Sequence, residues 1–168
     1  MNNEITNSTG IERLRTLYSV LTGVPEERTS LVGWVRGPRA GCETTYCAIG
    51  WAAIYPEFVK LGLTMSGYEP VLVSPSGEER FKSWGAVEEF FGLGYDINSN
   101  YRECYALFTD ERETRSFIDA DRVGTQMKMS DKALVLMRIR NYLLSKGAIT
   151  PERSEELKLQ ERATAKGY

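Results

Sequence analysis

Residues 130–147 read Ser-Asp-Lys-Ala-Leu-Val-Leu-Met-Arg-Ile-Arg-Asn-Tyr-Leu-Leu-Ser-Lys-Gly. Ala133, Leu134, Leu136, Met137, Ile139, Arg140, Leu143 and Leu144 recur at helical spacing and keep the helix apolar over a wide arc. Ser130 supplies an N-cap, and Asp131 sits at the positive end of the helix dipole. Gly147 closes the run in the manner of a helix C-terminus. The stretch therefore predicts a helix over about 131–146, and it sets the class of the whole fold.

The same signals extend outward in both directions. Thr150 predicts the cap of a last helix, with Pro151 at its first position and Glu152 in its first turn. Leu157 and Leu159 are its only large aliphatic residues, which places that helix on the surface. Toward the N-terminus, Ile11, Leu14, Leu17, Tyr18 and Leu21 predict a helix over about 10–22. Thr9 and Glu12 form a capping-box pattern, and Gly23 ends the run. Pro25-Glu26-Glu27-Arg28 reads as a first helical turn. Thr44 predicts another cap, with Cys47 at N3 and a face of Cys47, Gly50, Trp51, Ile54 and Phe58 that Pro56 interrupts. Ser83 predicts the cap of a helix over 84–91, and Asn98 or Ser99 that of a helix over 99–108. Val71-Leu72-Val73 and Glu79-Arg80-Phe81-Lys82 flank the turn Ser74-Pro75-Ser76-Gly77, a hairpin pattern. Residues 109–129 are polar and loop-like. The expected fold is mainly α (α+β), a compact bundle of five to seven short helices with one small β-hairpin near 70–82. Residues 1–150 are read as a single helical domain, and 151–168 as a surface helix and tail.

Composition agrees with that class. A chain of 168 residues that is 42% apolar can build one real core. The net charge of −2 gives no overall attraction to nucleic acid or anionic membrane. Charge is uneven: residues 1–110 carry 9 basic and 14 acidic residues, or −5, and residues 111–168 carry 12 and 9, or +3. The first residues lack a basic and apolar leader pattern, and no apolar run reaches membrane-spanning length. A cytoplasmic protein with reduced thiols is expected. There is no histidine. That removes histidine bases, histidine triads and histidine-containing zinc sites together.

Residues 41–52, Gly-Cys-Glu-Thr-Thr-Tyr-Cys-Ala-Ile-Gly-Trp-Ala, hold the strongest candidates for chemistry. Cys42 and Cys47, with Cys104 elsewhere, fall short of the four ligands of a structural zinc site. Their spacing is not that of a C-x-x-C redox pair. Cys47 near a helix start, or the more exposed Cys42, could serve as a nucleophile with a lowered pKa, though no histidine stands by to take the proton. A capped, buried helix start explains more residues. In that reading Thr44 caps, Cys47 is a small buried apolar group, and Gly50 lets another helix approach closely.

Cys42-x-Thr44-x-x-Cys47-x-x-Gly50-x-Ala52 resembles the Cys-Gly-Thr-x-x-Cys-x-x-Gly-x-Ala segment of small uncharacterised proteins from bacteria and their phages. Phe91-Gly92-Leu93 and Ala106-Leu107-Phe108 are similar to later segments of such proteins. The likeness covers about residues 42–110 and, more loosely, the helix containing Met137-Arg138-Ile139. Glu43 stands where that pattern has glycine. The resemblance implies a small helical protein, phage-encoded and acting in a host cytoplasm, and it carries no activity.

Other carboxylate pairs, Glu78-Glu79 and Glu88-Glu89, read as solvated faces. Arg36 and Arg39 lie in a Gly/Pro-rich loop that could meet an anion. Tyr55, Tyr68, Tyr95 and Tyr101 sit near turns, where tyrosine supplies rigid interface area. The expected function is a non-enzymatic protein-binding module, such as an inhibitor or regulator of a host protein, with no cofactor and no metal. One alternative is a nucleic-acid-binding regulator using Lys132, Arg138, Arg140 and Lys146. Another is a cysteine-dependent enzyme or redox switch using Cys42 and Cys47.

Overall fold

A computed structural model describes residues 2–31, 33–36, 45–96, 101–109 and 129–165. Seven α-helices and three small antiparallel sheets are seen among them, a mainly α fold. The helices are α1 (Asn2–Gly23), α2 (Ala48–Ile54), α3 (Pro56–Lys60), α4 (Ser83–Phe91), α5 (Glu103–Phe108), α6 (Asp131–Ser145) and α7 (Pro151–Ala165). The strands are β1 (Val35–Arg36), β2 (Thr45–Tyr46), β3 (Leu63–Ser66), β4 (Glu69–Val73), β5 (Glu79–Lys82), β6 (Tyr95–Asp96) and β7 (Tyr101–Arg102). A single 3-10 turn, Glu26–Arg28, follows Pro25 as its sequence suggests.

The stretch at 130–147 forms the centre of the molecule. Ser130 Oγ accepts the amide of Ala133 at 3.3 Å, and Gly147 takes the left-handed φ of 64° that ends the run. Leu134, Val135, Leu136, Ile139, Tyr142 and Leu143 of α6 are buried. They meet Leu14, Leu17 and Leu21 of α1, which crosses α6 along its length. A second patch of core is aromatic. Phe58 of α3 meets Phe90 and Phe91 of α4 edge-on, with ring centroids 5.3 and 5.9 Å apart, the geometry that ring quadrupoles favour. On α1, a Cβ built on Gly10 would lie 2.1 Å from the carbonyl oxygen of Phe91, so α1 and the end of α4 touch backbone to backbone.

The expected hairpin is real but is part of a three-stranded sheet in the order β3-β4-β5. β3 pairs with β4 from Leu63↔Leu72 to Ser66↔Glu69, through the turn Gly67-Tyr68 with Gly67 at φ 62°. Leu63-Thr64-Met65-Ser66 carries a weak strand signal, and pairing with the strongly β-prone Val71-Leu72-Val73 decides it.

Four capping expectations change. α1 runs back to Asn2, so Thr9 lies within the helix and is not its cap. No proline interrupts residues 2–9, and the helix continues through them despite the low helix propensity of their Asn, Ser and Thr residues. α4 starts at Ser83 itself, with Lys82 as N-cap. Ser83 has φ 51°, the only non-glycine positive φ among the described residues, and its hydroxyl donates to Glu69 of β4. A bond across the sheet has replaced the local cap. The cap of α2 is Cys47, not Thr44, and Cys47 is therefore at N-cap rather than N3. The predicted helix over 99–108 begins only at Glu103, after β6 and β7 have paired as Tyr95↔Arg102 and Asp96↔Tyr101. Thr44, Asn98, Ser99 and nearly all of 109–129 lie outside the described residues.

Candidate functional site

Cys47 sits at the junction of β2 and α2. Its amide donates to the carbonyl of Trp34 at 3.1 Å, and its Sγ accepts the amide of Gly50 at 3.3 Å. The thiol is 3% exposed. Burial pushes its pKa up to about 11, against the lowering effect of the neighbouring amides. Desolvation of the thiolate outweighs the helix start, and a thiol held in this form is a poor nucleophile near neutral pH. The close approach expected at Gly50 is real, but the neighbour is not a helix. A Cβ there would lie 2.3 Å from the Trp34 carbonyl oxygen. Trp34 and Trp84 pack ring to ring at 4.4 Å, and Tyr105 meets Trp84 at 4.8 Å. Cys104 is also buried and its Sγ donates to Glu88 Oε1 at 3.3 Å. Cys42 and Arg39 lie outside the described residues. Among the described residues, no group of three or more Cys, Asp and Glu could hold a metal ion.

The cations of α6 turn inward. Arg138 is fully buried and donates to the Thr109 carbonyl at 2.6 Å. Lys132 is buried and donates to the carbonyls of Thr22 at 3.0 Å and Val24 at 2.5 Å. A cation placed on the last carbonyls of α1 satisfies acceptors that the helix leaves open and suits the dipole there. Desolvation lowers the Lys132 pKa, with Glu26 and Glu27 acting against that fall. Arg140 pairs with Glu161 of α7, and Tyr18 of α1 donates to the other oxygen of that carboxylate at 2.5 Å. Burial first, and then the Glu161 carboxylate, push the Tyr18 phenol far above its usual pKa. Lys146 is the exception. It is exposed and pairs with Glu103 at 2.9 Å.

These bonds fix the surroundings of the C-terminal end of α1, where three recesses meet. One groove, of about 630 Å³, runs between α1, the turn after α6 and α7. Leu143, Ile149 and Leu157 give it an apolar floor, Tyr18 and Thr22 a polar side, and Arg15 and Arg153 its charge. A second groove, of about 660 Å³, lies between α1 and the α2–α3 corner. It is lined by Val20, Val24, Trp51, Ile54, Tyr55 and Pro56, with no charged side chain. A smaller recess of about 210 Å³ holds Lys132, Glu26 and Glu161. Gly23 borders all three. A Cβ built on Gly23 meets nothing within 4 Å, so the position opens onto free space.

The expected binding residues are dispersed. Tyr55 is half-buried, packs edge-on against Phe58 at 5.5 Å, and lines the uncharged groove. Tyr68 is 76% exposed at the tip of the β3–β4 hairpin. Tyr95 and Tyr101 lie in the paired strands β6 and β7, and Arg36 in β1. Of the named residues whose side chains are described, Tyr55 borders the grooves and Tyr68 does not. Ile54, an isoleucine left 40% exposed in the wall of the uncharged groove, is the residue that sequence reasoning placed on the buried face of α2. Its position beside Pro56, where the helix breaks, is the signal that could have moved it outward.

No helix among the described residues is long and apolar enough to cross a membrane. Comparison of the chain with protein-family models, curated proteins and solved structures gave no match.

Proposed function

We propose that the protein is a non-enzymatic protein-binding module, and that its recognition face is the end of α1 with the grooves on either side. The observation that carries this reading is the meeting of three recesses at Gly23, beside an exposed Ile54. An apolar groove with exposed aliphatic walls is one of the recurring ways a protein receives a partner's amphipathic segment. The thiol and the cations that could have carried chemistry are instead spent on internal bonds: Cys47 on Gly50, Arg140 on Glu161 and Lys132 on the end of α1. By analogy with small phage proteins, the reading extends to an inhibitor or regulator of a host protein in the host cytoplasm.

The test is a comparative pull-down from nuclease-treated bacterial lysate with wild-type protein and Gly23→Trp as baits. The Cβ position at Gly23 is open, so an indole attached there projects over the junction of the recesses. A stoichiometric protein partner held by the wild type and lost by the variant, with the variant's circular dichroism and melting unchanged, is the expected result. A partner held equally by both baits would remove the recognition face from this region. Material recovered only without nuclease would replace the reading with nucleic-acid binding.

A further inference from the structure

Resting on that reading, we infer that the groove between α1 and α7 takes an acidic amphipathic helix of the partner protein. The argument is charge complementarity along one continuous surface. Arg15 and Arg153 are the charged residues of this groove, and no carboxylate lines it among the described residues. Both lie at the turn that joins α6 to α7. Arg15 donates to the carbonyl of Ala148, and the amide of Arg153 donates to Thr150 Oγ1 at 3.2 Å. Arg15 is thus held against the groove wall by a bond across the fold. The carboxylates they already meet, Glu12 and Glu156, are exposed (i, i+3) neighbours on the same helices. Such pairs are weak and readily exchanged for a better-placed carboxylate.

The arginines stand beside the apolar floor of Leu143, Ile149 and Leu157 in this groove. Ser19 and Gly23 also border the uncharged groove of Val20, Trp51 and Ile54 on the other side of α1. A segment seated here therefore meets guanidinium donors and an apolar floor together. A helix with aliphatic anchors at i, i+3 and i+4 and carboxylates on its flank matches that pairing. The arginine fork is suited to carboxylate and gives it orientation as well as attraction. The protein as a whole carries a net charge of −2, so this attraction is local to the groove.

The experiment is selection of a random peptide display library on immobilised wild-type protein, with depletion on Gly23→Trp and, independently, on Ser19→Trp. Ser19 is exposed and borders both grooves, so it blocks the same surface from a different position. The expected survivors pair helically spaced aliphatic residues with Asp or Glu. They weaken about tenfold on Arg15→Gln or Arg153→Gln, the scale of one charge-assisted hydrogen bond, and weaken further as salt is raised. Groove-dependent peptides with no acidic preference, or indifferent to both arginines, would overturn the acidic partner and leave the recognition face standing. Peptides that bind Gly23→Trp and Ser19→Trp as well as wild type would overturn both. A wild-type dimer in size-exclusion chromatography that Gly23→Trp dissociates would give the surface to a second copy of the chain, which also overturns the inference.

Discussion

α6 and α7 are consecutive helices of 15 residues each, and they are held in place by different physics. α6 buries side chains on nearly every side, charged ones included: Lys132, Arg138 and Arg140 lie inside beside Leu134, Val135 and Ile139. In α7 only Ser154 and Leu157 are buried among the described side chains, and Leu159 is 62% exposed. α6 is held by packing. α7 is held by one leucine and by the Arg140–Glu161–Tyr18 cluster. Yet α7 forms a wall of the recognition groove, so the surface with the proposed function rests on the more weakly packed of the two.

Matched truncations should break this comparison most sharply. Leu134→Ala is expected to cost about 3 kcal/mol, as for other fully buried leucines. Leu159→Ala should stay within about 0.5 kcal/mol. Both are read by urea denaturation, and similar losses would mean that α7 packs as tightly as α6. Next in size is the polar cluster. Glu161→Ala strands the buried Arg140 guanidinium and should cost about 2–3 kcal/mol, the scale of a lost hydrogen bond to a charged group, with hydrogen exchange in α7 accelerating before exchange in α6. Arg140→Met combined with Glu161→Met should recover much of that loss, because no unpaired charge remains; a double variant as unstable as Glu161→Ala would deny the mechanism.

The cap of α7 gives a smaller effect. Thr150 Oγ1 accepts the amide of Arg153, and Thr150→Ala should cost about 1 kcal/mol. Peptide binding in the groove should fall with it, since Arg153 begins that turn; unchanged binding would separate the cap from the site. The smallest effect is expected from acid acting on Glu103 at the far end of α6. Burial alone would raise its pKa. The amide of Gly94 at 2.7 Å, Lys146 and Tyr142 more than offset this and hold it below the ordinary 4.5. A lowered carboxylate pKa means that the unfolded chain binds the proton more readily. The contribution is therefore whole above about 4.5 and fades as pH falls through the lower, folded value. Glu103→Gln should remove this dependence, and a variant that keeps the wild-type acid profile would assign it elsewhere.

Legibility in the sequence follows how local each cause is. Ser130 and Thr150 were readable as caps because the amides they accept lie three residues on in the same chain. Ser83 was misread because its partner, Glu69, lies in β4, fourteen residues away, and Cys47 because its amide bonds Trp34 where the β1–β2 pairing continues. The inward bonds of Arg138 and Arg140 were hidden for the same reason: periodicity places Arg140 on the arc of α6 without naming its partner, and the groups both arginines bond are distant in sequence. The grooves were the least legible feature. Gly23 was visible only as a helix stop, and the walls around it come from residues 15–24, 51–56 and 143–160. No local pattern could pair them.

That separation bears on when the protein becomes competent during its own synthesis. Lys132 closes the end of α1 across more than a hundred residues, to Thr22 and Val24. A nascent chain leaving the ribosome therefore exposes α1 long before α6 and α7 can complete the groove, and contacts this distant in sequence are late in the order of folding. Recognition through this surface is a property of the finished chain, and a ribosome-bound intermediate that ends before α6 should not compete with it.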